Sequence, residues 1–263
     1  MAGCTDPAET LRSDTLDEPR ELRTVLTHVR AIYRRELSSY FDSPLAYIVI
    51  PMFLILVGGF SLFFQDLLGG GIATMRPVFF WASVFMLMLI PAVTMRLFAE
   101  EHRTGSIELL VTMPVSEASV VLGKFLAAFS LVCVAIALTL TYPLTLALLS
   151  DMDPGPVVGG YIGLFGLGAA FTAIGTAASV GTRNQIVAFL LALAVSLIPF
   201  ASGFALGQVP AGLLPLVQFL SFEAHFNNLA RGVIDTRDLV FYGSTVGLFL
   251  HLAVFGLERR RLQ

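Results

Sequence analysis

Six long apolar stretches dominate the chain, at about 45–64, 78–95, 125–149, 161–180, 186–207 and 239–257, and none of them contains Asp, Glu, Lys or Arg. Crossing a hydrocarbon layer of about 30 Å takes about 20 residues of α-helix, so each stretch is long enough to span a bilayer. Backbone polar groups in lipid must be bonded within the chain. Unbroken apolar runs meet that demand as helices, whereas barrel strands would alternate apolar and polar positions. The pattern predicts an all-α integral membrane protein with six transmembrane helices.

The segment before the first stretch has a different rhythm. Residues 1–21 carry Asp6, Glu9, Asp14, Asp17 and Glu18 among few large apolar side chains. So little apolar surface does not offset the entropy of ordering, and a mobile cytoplasmic tail is expected there. From residue 22 to 263 a second region is read as one domain, and at its start Leu22, Val25, Leu26, Val29, Ile32, Tyr33, Leu37 and Tyr40 recur every three or four positions. Arg23, Arg30, Arg34 and Arg35 fill the gaps. This reads as an amphipathic helix lying in the membrane interface, its basic face turned by default to anionic lipid. Pro44 separates it from the first span, and Tyr40 and Tyr47 suit interfacial anchoring. The first 43 residues hold no apolar segment of secretory-signal length, so the first span is expected to serve as its own insertion signal.

Two connections are too long for simple turns. Residues 96–124 combine Arg96, Glu100, Glu101, His102, Arg103 and Glu108 with apolar Ile107, Leu110 and Val111, and read as short helices presented to a partner. Residues 208–238 contain Pro210 and Pro215, then Phe222, His225, Phe226, Leu229 and Val233 at helical spacing. That pattern suggests an external, partly re-entrant segment, which is tolerable at membrane depth only where protein covers it. The fourth span carries Gly163, Gly166, Gly168 and Gly175, and Ala169, Ala173, Ala177 and Gly181 form a ridge with a small residue at every fourth position. Such a ridge admits another helix closely, either within the monomer or across a dimer seam.

Charge sets the orientation. Lys and Arg number 13 in the N-terminal region, the 96–124 loop, the 181–185 turn and the C-terminus, against 3 in the other connections. Basic residues are retained on the cytoplasmic side, so both termini are expected there. Composition agrees with lipid as the main solvent: 13% of residues are charged, where about 25% is usual for a soluble domain.

Candidate catalytic chemistry is missing. The only lysine, Lys124, follows Gly123, but Ala118 and Phe125 stand where a phosphate-cradling loop needs a glycine and a hydroxyl. His28, His102, His225 and His251 form no metal-binding pair at helical spacing, and Cys4 and Cys133 suggest no disulfide framework. His251 lies within a span, where a proton relay and a hydrogen bond to a neighbouring helix are both open readings. Ion-coupled carriers usually place carboxylates near the midplane, and these spans have none. No catalytic residue, metal or cofactor is expected in the chain, and the energy for any transport has to enter from outside it.

Four segments carry a family resemblance: "RELSSYFDSPLAYI" (35–48), "MRLFAEEHRTGSIELLVTMPVSEASVVLGKFLA" (95–127), "HFNNLARGVIDTRDLVFY" (225–242) and "LERRR" (257–261). They resemble the membrane permeases of type-2 ATP-binding-cassette (ABC) transporters, and within that class the gliding-motility-associated permeases. The glutamate pair followed by "TGSIELLVTMPV" is the most specific piece.

The resemblance implies an interfacial helix, six spans, and two permeases, identical or homologous, around a central pathway. A separate cytoplasmic ABC ATPase would bind ATP and Mg. The coupling helix that docks on it would fall on Glu100, Glu101, Arg103, Thr104, Gly105, Ser106, Ile107, Glu108, Leu109 and Leu110. Glu36, Tyr40, Phe41, Pro44 and Tyr47, behind the basic Arg34 and Arg35, match the family's approach to the first span. The implied function is the permease subunit of an ATP-driven exporter; its cargo and any accessory protein are open, and no nucleic acid is expected. Two other classes remain: a membrane anchor or assembly platform, and a secondary carrier or channel using polar groups such as Thr139, Thr141, Tyr142, Thr172 and Thr176.

Overall fold

The computed structural model describes residues 7–64, 74–104, 116–149, 153–210 and 212–261. Every regular element among them is helical: α1 (Pro7–Asp42), α2 (Pro44–Phe64), α3 (Arg76–Thr94), α4 (Arg96–Thr104), α5 (Glu117–Leu138), α6 (Thr141–Leu149), α7 (Pro154–Gly181), α8 (Gln185–Ser202), a 3-10 turn at Leu206–Gln208, α9 (Leu214–Leu220), α10 (Phe222–Ala230) and α11 (Thr236–Arg261). Six helical stretches are long and apolar enough to cross a membrane: Pro44–Phe64, Arg76–Glu101, Glu117–Leu149, Pro154–Gly181, Gln185–Ser202 and Thr236–Arg259. The all-α, six-span architecture read from the apolar pattern is the one observed.

Three expectations change. The mobile tail over 1–21 gives way to helix from Pro7 onward. Proline at a first helical position sacrifices no hydrogen bond, and Ala8, Glu9, Leu11 and Arg12 behind it are strong helix formers. The third span begins at Glu117 rather than near 125, so Lys124 lies inside a helix and not in a 96–124 loop. Ser116 caps that early start, its side chain accepting the N–H of Ser119. The fifth helix ends at Ser202, short of the expected 207, where the chain turns through Gly203.

Two spans are broken once each, and a proline accompanies both breaks. Pro143 has no N–H to give the Thr139 carbonyl, which instead accepts from Tyr142 N at 3.0 Å where α5 passes into α6. Pro91 precedes the junction at Met95 between α3 and α4. There the Thr94 hydroxyl donates back to the Ile90 carbonyl at 2.9 Å.

α7 is the hub, packing against α3, α4, α5, α8, α10 and α11. Its small residues let the neighbours come close. A methyl group on Gly163 would stand 2.9 Å from the Phe226 ring of α10, and one on Gly166 2.8 Å from Tyr242 of α11. Close backbone approach of this kind is how helices associate where lipid removes the hydrophobic drive. By contrast α2, α8 and α11 show wide apolar faces outward, with Ile55, Ile198 and Val240 each exposed. Those faces suit hydrocarbon. α10 lies in the segment expected to need a protein cover, and Phe222, His225, Phe226 and Leu229 are buried there.

α1 has a protein neighbour. It packs along α5, where Gly123 leaves room for Ile32: a methyl there would sit 2.8 Å from the Ile32 side chain. About two turns further along α5, the hydroxyls of Ser130 and Tyr33 lie 3.1 Å apart. Residues of the apolar stripe thus pack on a neighbouring helix.

Candidate coupling site

The segment following the second span is held from three sides. α4 begins at Arg96, so its first N–H groups have no partner within the helix. Ser179, fully buried on α7, supplies one: its Oγ accepts from Phe98 N at 3.0 Å and Ala99 N at 3.2 Å, and donates to the Met95 carbonyl at 3.1 Å. A side chain from a different helix therefore performs the capping function.

Lys124 is the second attachment. Its side chain is only 2% exposed, and its Nζ donates to Glu36 Oε1 at 2.9 Å, Glu101 Oε1 at 2.7 Å and the Leu97 carbonyl at 2.7 Å. An ammonium has three N–H groups to give, and here each finds an oxygen. Phe98 places its ring under the same nitrogen, 5.1 Å from centroid to Nζ. The three acceptors come from two elements, α1 and α4, while the lysine comes from α5. One buried cation thus ties together the helix before the first span, the segment after the second, and the start of the third.

Around this node the charges are more exposed. Arg96 Nε donates to Glu100 Oε2 at 3.0 Å, one turn apart on α4, with both side chains about two-fifths exposed (41% and 38%). A surface pair of this kind contributes at most about 1 kcal/mol. Tyr40 is buried beside it, and burial, reinforced by the negative charge of Glu36 and opposed by Arg96, pushes its phenol well above the usual range. Glu36, Tyr40, Arg96, Leu97 and Glu100 line one shallow recess of about 100 Å³.

The predicted residues divide clearly. Glu36, Tyr40, Glu100 and Glu101 are brought together; Arg34 and Arg35 are exposed on α1. Phe41 packs edge-on against Tyr47, centroids 6.4 Å apart, and Pro44 opens α2. Arg103 and Thr104 close α4. Gly105, Ser106, Ile107, Glu108, Leu109 and Leu110 lie outside the described residues. On α7, Gly163 faces Phe226 and Leu229, Ala173 is buried, and Ala169 and Ala177 are half-buried. No group of His, Cys, Asp and Glu among the described residues is arranged to hold a metal ion.

Lys124 and Ser179 were not singled out as site residues from the sequence. For Lys124 a signal existed, since a lone lysine between "VVLG" and "FLAAF" has to find partners once the helix is extended over it. Ser179 gave none, because its role depends on a segment 80 residues away.

Charge-assisted hydrogen bonds, about twice as strong as neutral ones, fasten α1 and α5 to the base of α4.

Residues 12–255 match the family model described as ABC-2 family transporter protein. Among curated proteins, no match is found.

Proposed function

The chain belongs to the ABC-2 transporter family, and on that premise we propose that it is the permease half of an ATP-driven exporter, worked from its Lys124 end by a separate ATPase. Family membership makes it a multi-pass membrane permease subunit of an ABC transporter. Direction, ATPase coupling and pairing with a second permease are our reading. So are the placement of both termini in the cytoplasm and the affinity to gliding-motility-associated permeases, which rests on the segment 95–127 and selects no cargo.

The observation that supports this reading is the Lys124 junction. The acids of the six spans, Glu100, Glu101, Glu117, Asp238 and Glu258, all lie at span ends, so we read the spans as having no mid-membrane ion-coupling group and force as entering through a protein contact. α4 leads directly into the segment 105–115, and it is bolted to α1, α5 and α7 at its base. An ATPase that closes on ATP and moves that segment would tilt these helices together and so alternate access to the pathway.

The test is charge reversal at Glu100 in the assembled transporter. Glu101 is a poor probe, because its carboxylate also holds Lys124. Glu100→Lys should leave the chain folded yet lower ATPase co-purification and transport severalfold. Unchanged association and transport would remove Glu100 from the docking surface.

A further inference from the structure

A second charged feature lies at the other end of the bundle. Arg76 opens α3, and Leu97 lies 21 residues along the same span, so the two ends are separated by about 30 Å of helix. Beside Arg76, a cleft of about 390 Å³ opens between the start of α3, the end of α8 and α10. That volume is within the range of about 300–1,000 Å³ usual for small-ligand pockets.

The lining is of two kinds. Phe80, Phe200 and Phe226 present aromatic rings, while Arg76 and Arg231 bring two guanidiniums. Neither arginine has an ion-pair partner within 4.0 Å among the described residues, in contrast to Arg96 and Lys124 at the opposite end. Glu223 shares the cleft. Its carboxylate accepts a hydrogen bond from Asn227, and burial raises its proton affinity despite the opposing pull of Asn227 and Arg231. Even with Glu223 ionised, the cleft carries a net positive charge.

Two arginines without an ion-pair partner within 4.0 Å among the described residues, in excess of the one carboxylate of the cleft and beside an aromatic wall at the end of a membrane span, call for a ligand that is anionic at one end and apolar at the other. The guanidinium fork matches phosphate oxygens in a bidentate way. We propose that this cleft binds a phosphate-bearing amphiphile, with Arg76 and Arg231 on the phosphate and the first methylenes against Phe80, Phe200 and Phe226. A membrane phospholipid and a phosphate-carrying lipid cargo present the same chemistry, and both would fit. The inference requires no ATPase and stands whether or not the coupling reading holds.

The experiment uses the full chain purified in a non-ionic detergent and measures binding of three probes: dihexanoyl phosphatidic acid, dihexanoylglycerol and inorganic phosphate. The phosphatidic acid should bind at least about tenfold more tightly than either of the others, since each lacks one half of the recognised chemistry. Arg76→Gln with Arg231→Gln should weaken it about tenfold or more, in line with the loss of charge-assisted hydrogen bonds. Arg237→Gln, outside this cleft, should leave it unchanged. If the double variant does not fold, the single variants Arg76→Gln and Arg231→Gln should each weaken binding, while Arg76→Lys and Arg231→Lys retain most of it. Equal binding by wild type and glutamine variants overturns the proposal. So does phosphate or dihexanoylglycerol binding as tightly as the phosphatidic acid.

Discussion

Lys124 Nζ lies 2.9 Å from Glu36 Oε1, joining the helix that precedes the first span to the start of the third, 88 positions further along the chain. The lysine is 2% exposed, whereas Glu36 is 22% and its companion Glu101 25%. That inequality decides what each substitution costs, because a group that can regain water loses less when its partner is removed.

Lys124→Met keeps the apolar stem and leaves two carboxylates on partly exposed side chains, so the loss of stability should be the smaller one, about 1–2 kcal/mol. Glu36→Gln with Glu101→Gln leaves a buried ammonium without a counter-charge and should cost more, about 3–5 kcal/mol. Thermal unfolding of the purified variants checks the order. Equal losses would mean that the cation is better hydrated than its burial indicates.

Ser179→Ala removes the acceptor that caps α4 from α7. A lost cap costs about 0.5–2 kcal/mol, and its local effect should be larger than its global one. Amide exchange at Phe98 and Ala99 should accelerate, while exchange in the middle of α7 stays slow. Ser179→Thr, which keeps the hydroxyl, should restore much of the protection; unaltered exchange in the alanine variant would show that the cap is dispensable.

How much of this could be read in advance differs between spans and site. The spans were legible because apolar runs in lipid have one economical solution, and each run announced itself without reference to the others. Lys124 was read as loop because a charge ends a hydropathy run. The helix continues over it since Glu36, Leu97 and Glu101 provide oxygens from elsewhere in the chain, and a one-dimensional pattern contains no such information. The fit of Ile32 against Gly123 is tertiary in the same sense, as amphipathic spacing predicts a buried stripe but not what buries it. The motif at Glu100 and Glu101 was visible as charge beside apolar residues, yet only the fold separates the carboxylate that pairs with Arg96 from the one that holds Lys124.

Glu223 gives the chain a pH-dependent contribution to stability. Burial raises its proton affinity above that of an unfolded glutamate. The native state thus binds this proton more tightly, so the contribution is full below the ordinary glutamate pKa and is lost as pH rises through the raised native value. Glu223→Gln should flatten the decline in melting temperature between acidic and neutral pH relative to wild type. An identical profile in the variant would contradict the assignment.

The central claim is that work enters through the segment following α4, on the face where a cytoplasmic ATPase can reach it. The most direct measurement places a single cysteine at Ser106, with Cys4 and Cys133 replaced by serine, and follows labelling by a membrane-impermeant maleimide in vesicles of each orientation. Labelling only from the inner face, and its suppression when the partner ATPase is bound, is the result expected. Labelling from the outer face, or inner-face labelling that the bound ATPase leaves unchanged, would contradict it.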